Sequence, residues 1–315
     1  MKIVLLEPLG VSDSLINSYK SELESRGHEF NFYPKDTNED VQIERAKDAD
    51  VIMLANMPLS AKVIENCPNL KFIDVAFTGV DHIALDVAKE KGIAVSNASG
   101  YATVAVAELT IGMMISLLRN VPQVDVRCRE GKTKDGLVGF NLSGKTVGIV
   151  GLGAIGLKVA ELCHAFGCEV LGYSRTQKND TPSYITYTNI EDLMKRSDIV
   201  SLHCPLNETS ANLINKERLA LMKPQSYVIN MARGPVVDSE ALANALNDDL
   251  IAGAAIDVFE IEPPLDVNHP LLHSKNTIVT PHIAFASKES MILRAEIVFN
   301  SLDSWLNGEQ LHKII

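Results

Sequence analysis

At 315 residues, with 46% hydrophobic and 22% charged, the chain has the length of two domains and the composition of a folded globular protein, which excludes a disordered or low-complexity reading. A formal net charge of -11, with no compensating Lys/Arg run, argues against nucleic acid and membrane surfaces as partners; an anionic ligand must then meet a few placed cations. Five cysteines without CxxC spacing predict neither a disulfide framework nor a metal site, and no window approaches ~18 uninterrupted apolar residues, so a cytoplasmic protein is expected.

Short β-rich runs at residues 2–7, 49–55, 70–77 and 93–97 come first, separated by helical stretches. A long apolar segment, residues 102–118, has the length and propensity of a helix and separates two strand sets. Residues 120–143 are charged and irregular, too long for an ordinary connection, and read as an arm or surface excursion. Further strand-like runs follow at 145–150, 169–173, 198–204, 226–232, 251–257 and 276–280, before an amphipathic helix over 287–306. Most runs are nearly continuous in Val, Ile, Leu and Ala rather than alternating, as parallel strands covered on both faces require. The expectation is an α/β protein with two doubly wound parallel sheets.

The run KTVGIV leads into Gly151, Gly153 and Gly156 in GxGxxG spacing, and a helical stretch follows. A strand before and a helix after make this turn a dinucleotide site: Gly151 for the tight turn, Gly153 for close approach of a pyrophosphate, Gly156 for helix packing. About 20 residues on, at the end of the next strand, a carboxylate would select the ribose 2′-hydroxyl of NAD(H). Ser174 stands there instead, followed by Arg175, Thr176 and Lys178, which suit a 2′-phosphate; NADP(H) is favoured and NAD(H) remains possible.

Arg233, Glu262 and His282 follow the last three strand-like runs, and ligands in open α/β sheets sit beyond the carboxyl ends of strands. A 2-oxo acid needs a guanidinium for its carboxylate and a proton for its carbonyl oxygen as hydride arrives, which Arg233 and His282 can supply. Glu262 could bond the far imidazole nitrogen and favour the charged ring. Each residue alone also suits a bland role: a strand-end salt bridge, a solvated loop acid, a packed histidine.

Together with residues 77–82 (FTGVDH), 101–108 (YATVAVAE), 203–206 (HCPL), 230–238 (NMARGPVVD), 257–263 (DVFEIEP) and 280–283 (TPHI), these motifs make the chain resemble the D-isomer-specific 2-hydroxyacid dehydrogenases over nearly its whole length, glyoxylate and hydroxypyruvate reductases among them. The resemblance implies a Rossmann-type cofactor domain, residues 100–284, inserted into a flavodoxin-like substrate domain, residues 1–99 and 285–315. It implies that Arg233 binds substrate, that Glu262 pairs with the acid/base His282, and that the Thr78 and Gly79 backbone meets the substrate carboxylate. Ala154 and Ile155 would meet the pyrophosphate; Cys204, Pro205 and Thr209 the adenosine side; Met231, Ala232 and Asp257 the nicotinamide, Asp257 near its carboxamide. It also implies a homodimer built on residues 101–140.

Phe77 stands where many of these enzymes have glycine, and the expectation is a reshaped or narrowed substrate pocket. The loop at residues 56–60 carries no Lys or Arg, which favours a small unphosphorylated 2-oxo acid over a substrate such as 3-phosphoglycerate. A formate dehydrogenase is disfavoured by the glutamate at position 262. A dinucleotide-sensing binding protein of the corepressor type is the rival of a different class, and an intact triad does not exclude it.

Overall fold

The computed structural model describes residues 1–177, 181–261 and 265–315. They form two compact units, one from Met1–Ala102 with Ala286–Ile315, the other from Thr103–Phe285.

In the first unit the strands are β1 (Lys2–Leu5), β2 (Glu29–Phe32), β3 (Val51–Leu54), β4 (Phe72–Val75) and β5 (Ala94–Asn97), ordered β2-β1-β3-β4-β5. All neighbours pair in parallel, and this is the flavodoxin-like order. β1, β3 and β4 are buried almost end to end, which explains their unbroken apolar sequences. The C-terminal helix Lys288–Leu306 returns to cover this sheet. Its Ala295, Val298, Phe299 and Leu302 join Ile3, Phe30, Met53 and Phe72 in one core, where burial of each large side chain contributes roughly 1.5–3 kcal/mol. The Trp305 ring stacks on Phe72 at 4.8 Å, and Ser287 starts the helix with a capping box shared with Ser290.

A buried carboxyl interrupts that core. Asp74 of β4 is fully buried, and neither of its oxygens makes a hydrogen bond of ordinary geometry among the described residues. Burial drives its carboxyl well above the usual range, with the Ser301 hydroxyl pulling the other way. The folded state therefore holds a proton that the unfolded chain releases near pH 4, and this group's own contribution to stability is fullest below that pH and falls as pH rises toward the folded value. Asp74→Asn should melt a few degrees above the parent at pH 7.5, with the gap closing toward pH 4; thermal unfolding across that range reads it.

The second unit holds β6 (Thr146–Val150), β7 (Glu169–Tyr173), β8 (Ile185–Tyr187), β9 (Ile199–Leu202), β10 (Tyr227–Asn230), β11 (Gly253–Ile256) and β12 (Thr277–Val279). Their order is β12-β11-β10-β9-β6-β7-β8, all parallel, a Rossmann-type sheet extended by one strand. The strand order reverses between β6 and β9, the crevice where such sheets bind ligands.

The sequence reading passes over β2 and β8, each an outer strand of its sheet, and it takes residues 120–143 as irregular. Val121–Arg129 is in fact a helix, started by Asn120 in the left-handed region and by Pro122 in the first turn. None of its residues is buried, so there is no apolar stripe to read. Among the described residues no single helix is long and apolar enough to cross a membrane; Thr103–Leu118 passes only together with this one, bent by 63°, and half of its residues are buried.

Candidate active site

The glycine turn follows β6 directly. Gly151 has φ +99°, a left-handed conformation, and an added Cβ would lie 2.6 Å from the Cys204 backbone nitrogen; a Cβ on Gly156 would overlap the Gly151 carbonyl. Gly153, by contrast, faces open space and caps the helix Ala154–Ala165 with no side-chain bond to its first turn. Its backbone amides, with Ala154 exposed and Ile155 half-buried beside them, are thus left to an anion at the positive end of a twelve-residue helix. The residues present fit a dinucleotide pyrophosphate.

Beyond β9 the chain forms the other wall of this crevice. His203 donates its backbone N–H to the Val150 carbonyl, its ring bonds Ser201 Oγ at 2.8 Å, and burial pushes its pKa down to about 3, so it stands neutral. Burial likewise pushes the Cys204 thiol up to about 11, making it an apolar surface rather than a nucleophile. Ser210 Oγ donates to the Pro205 carbonyl, and the Thr209 hydroxyl donates to Asn207 Oδ1, which holds the 205–210 loop in shape.

At the end of β7, Ser174 is half-buried and Arg175 exposed. The Ser174 hydroxyl donates to the Thr176 carbonyl at 2.8 Å and lies 3.2 Å from Tyr187 Oη, a neighbour the sequence reading missed. Lys178 lies outside the described residues.

β10, β11 and β12 are adjacent, so the residues beyond their carboxyl ends share one edge of the sheet. After β10, the buried Asn230 braces the turn: its Oδ1 accepts from Ala232 N at 3.1 Å and its Nδ2 donates to the Arg233 carbonyl at 3.0 Å. Met231 and Ala232 are buried within that turn, and Arg233 Nη1 donates to the Ala232 carbonyl at 2.9 Å. Gly234 then passes so close to the Phe259 backbone that a Cβ there would overlap it. Sequence reasoning also missed the Asn230 brace, although the residue opens the NMARG motif.

Asp257, immediately after β11, is fully buried. Its Oδ1 accepts from Thr280 Oγ1 at 2.6 Å and Ile283 N at 2.8 Å, and its Oδ2 accepts from Ala284 N at 2.8 Å. Its backbone carbonyl accepts the His282 N–H at 2.7 Å. Desolvation raises the Asp257 carboxyl above its ordinary value, against these donors and the nearby His282, which lower it. The sequence expectation sets Asp257 beside the cofactor carboxamide; its carboxylate clamps the turn that carries His282. That turn is strained, with His282 at φ +55°, and the imidazole meets the Phe285 ring edge-on at 5.2 Å. Glu262, the expected partner of His282, lies outside the described residues.

Thr78 and Gly79 belong to the first unit, on the turn after β4. Thr78 is exposed, and Asn97 Nδ2 donates to its carbonyl at 2.6 Å. The Phe77 ring is buried, edge-on to His82 at 6.3 Å and tilted against Tyr101 at 6.2 Å. In the neighbouring loop, Lys35 reaches within 3.4 Å of Asn56 Oδ1, but it is paired with the buried Glu7 at 2.9 Å.

Comparison with known proteins agrees with this geometry. The family model described as D-isomer specific 2-hydroxyacid dehydrogenase, NAD binding domain, matches residues 111–284, more than half the chain. A glyoxylate reductase of Thermofilum pendens is 40% identical over 290 residues, covering 90% of this chain and 85% of its own length. Among solved structures, an acyclic imino acid reductase in complex with NADPH and D-Arg superposes with a TM-score of 0.91 at 28% identity, covering 100% of both chains. The NAD-dependent formate dehydrogenase of Staphylococcus aureus in complex with NAD gives 0.89 at 31% identity, covering 100% of this chain and 99% of its own. The chain belongs to the D-isomer specific 2-hydroxyacid dehydrogenase family and is an oxidoreductase that uses a nicotinamide dinucleotide.

Proposed function

We propose that the protein reduces a small unphosphorylated 2-oxo acid to its D-2-hydroxy acid, glyoxylate and hydroxypyruvate being the first candidates, with NADPH favoured over NADH. The observation that carries the reading is the shared edge at β10, β11 and β12, where Arg233, Asp257 and His282 follow three neighbouring strands in the unit that carries the glycine turn.

When bound, the nicotinamide supplies or takes up hydride at substrate carbon 2. Arg233 holds the substrate carboxylate through a planar two-point bond. His282 gives its proton to the carbonyl oxygen as negative charge develops there, and takes it back in the reverse direction. Glu262 would be the partner of the far imidazole nitrogen and hold the ring's tautomer. Asp257, through the 280–284 turn, fixes where that ring stands.

The coenzyme preference rests on Ser174 in place of a carboxylate and on the exposed Arg175. A free cation for a substrate phosphate is not offered by Lys35, which Glu7 neutralises, so a 3-phosphoglycerate dehydrogenase is disfavoured. Val121, Val126, Val138 and Phe140 are exposed apolar side chains within residues 101–140, which supports a homodimer built on that segment.

Steady-state oxidation of NADPH and NADH with glyoxylate, hydroxypyruvate, pyruvate, phenylpyruvate and 2-oxoisocaproate tests the reading. Turnover with at least one acid, faster with NADPH at limiting coenzyme, is the expected result. Coenzyme binding without turnover of any acid would favour the corepressor-like alternative.

A further inference from the structure

A coenzyme-selecting turn at the end of β7 must hold an exposed arginine in place, and Arg175 has Ser174 before it and exposed Thr176 after it. A flexible loop would give up ordering entropy each time a phosphate bound, and a turn already shaped would not. Two hydrogen bonds shape this one. The Ser174 hydroxyl has a single proton, which goes to the Thr176 carbonyl at 2.8 Å. Ser174 Oγ and Tyr187 Oη lie 3.2 Å apart, a second hydrogen bond that ties the turn to the end of β8.

Tyr187 is itself well anchored. It ends β8, opposite Gly172 in the parallel pairing with β7, and the next residue, Thr188, donates its N–H to the Gly172 carbonyl at 3.0 Å. The phenol thus reaches the turn from a neighbouring strand, outside the segment 174–178 from which coenzyme choice is read in the sequence. It brings a neutral hydroxyl, where a carboxylate partner would draw the Arg175 guanidinium away from an incoming phosphate.

We infer that Tyr187 is a positioning residue for coenzyme choice: its hydroxyl, through Ser174, holds the Ser174–Arg175–Thr176 turn in the shape that presents Arg175 to a ribose 2′-phosphate. This rests on the reading that the enzyme prefers the phosphorylated dinucleotide. The energy involved is that of one neutral hydrogen bond, so the effect is modest and selective.

The test is binding of 2′,5′-ADP and of 5′-ADP to the full chain by calorimetry, for the parent, Tyr187→Phe, Ser174→Ala and Arg175→Ala, with thermal unfolding of each. Tyr187→Phe and Ser174→Ala should each weaken 2′,5′-ADP about 2- to 12-fold and leave 5′-ADP unchanged, the span expected for one hydrogen bond of this kind. Arg175→Ala should abolish most of the discrimination. Equal weakening of both nucleotides in Tyr187→Phe, or none, alongside a selective Arg175→Ala, would overturn the role of Tyr187 and leave the NADPH reading standing. An Arg175→Ala variant that still discriminates would overturn both.

Discussion

Replacing His282 by asparagine is expected to lower kcat by about 100- to 10,000-fold while the dissociation constant for the reduced coenzyme stays within about twofold, because loss of a general acid removes a term present only in the transition state. Asparagine is the better probe than alanine here. The position sits at φ +55°, where asparagine, whose short polar side chain can hydrogen-bond locally, is tolerated better than alanine, so the substitution removes the proton donor and keeps the turn. The turn's other supports also survive: the Asp257 carboxylate still holds Thr280, Ile283 and Ala284, and the backbone bond from position 282 to the Asp257 carbonyl does not depend on the side chain. Stopped-flow reduction of the oxo acid separates chemistry from binding. An asparagine variant with parental kcat would remove His282 from the reaction.

The second large effect is expected at Arg233. Arg233→Lys keeps the charge and loses the planar fork, so at least one charge-assisted hydrogen bond to the carboxylate is lost, worth about 1.5–3 kcal/mol, or roughly 10- to 150-fold in kcat/KM. Both KM and kcat should suffer, since a carboxylate held at one point leaves the carbonyl poorly aimed at the proton donor. The protein should remain folded, because the Asn230 brace runs to the Ala232 amide and the carbonyl of residue 233, neither of which the substitution changes. Unchanged kinetics in the lysine variant would make Arg233 a structural residue.

Much of this architecture is written in local sequence. The central strands are unbroken apolar runs because helices cover both faces, and the glycine spacing at 151–156 needs a strand before it and a helix after it, both readable in order. What was not legible depends on neighbours in space. β8 has three residues, with one of them buried, and it matters only because its register sets Tyr187 beside Ser174. The Val121–Arg129 helix buries nothing and so carries no periodic signal. The Asp257 clamp on the His282 turn depends on the pairing of β11 with β12, and no spacing within either segment announces it. The neighbours of Phe77 are likewise spatial: its ring lies against His82 and Tyr101, the second of them 24 residues on.

The central claim is hydride transfer from the dinucleotide to carbon 2 of a 2-oxo acid, and it is tested most directly by following the label. NADPH carrying deuterium at the transferring position of its nicotinamide is incubated with the protein and hydroxypyruvate, and the product is resolved on a chiral column and weighed by mass spectrometry. The account predicts glycerate of the D configuration with one deuterium at carbon 2. Unlabelled product, or product of the L configuration, would contradict it.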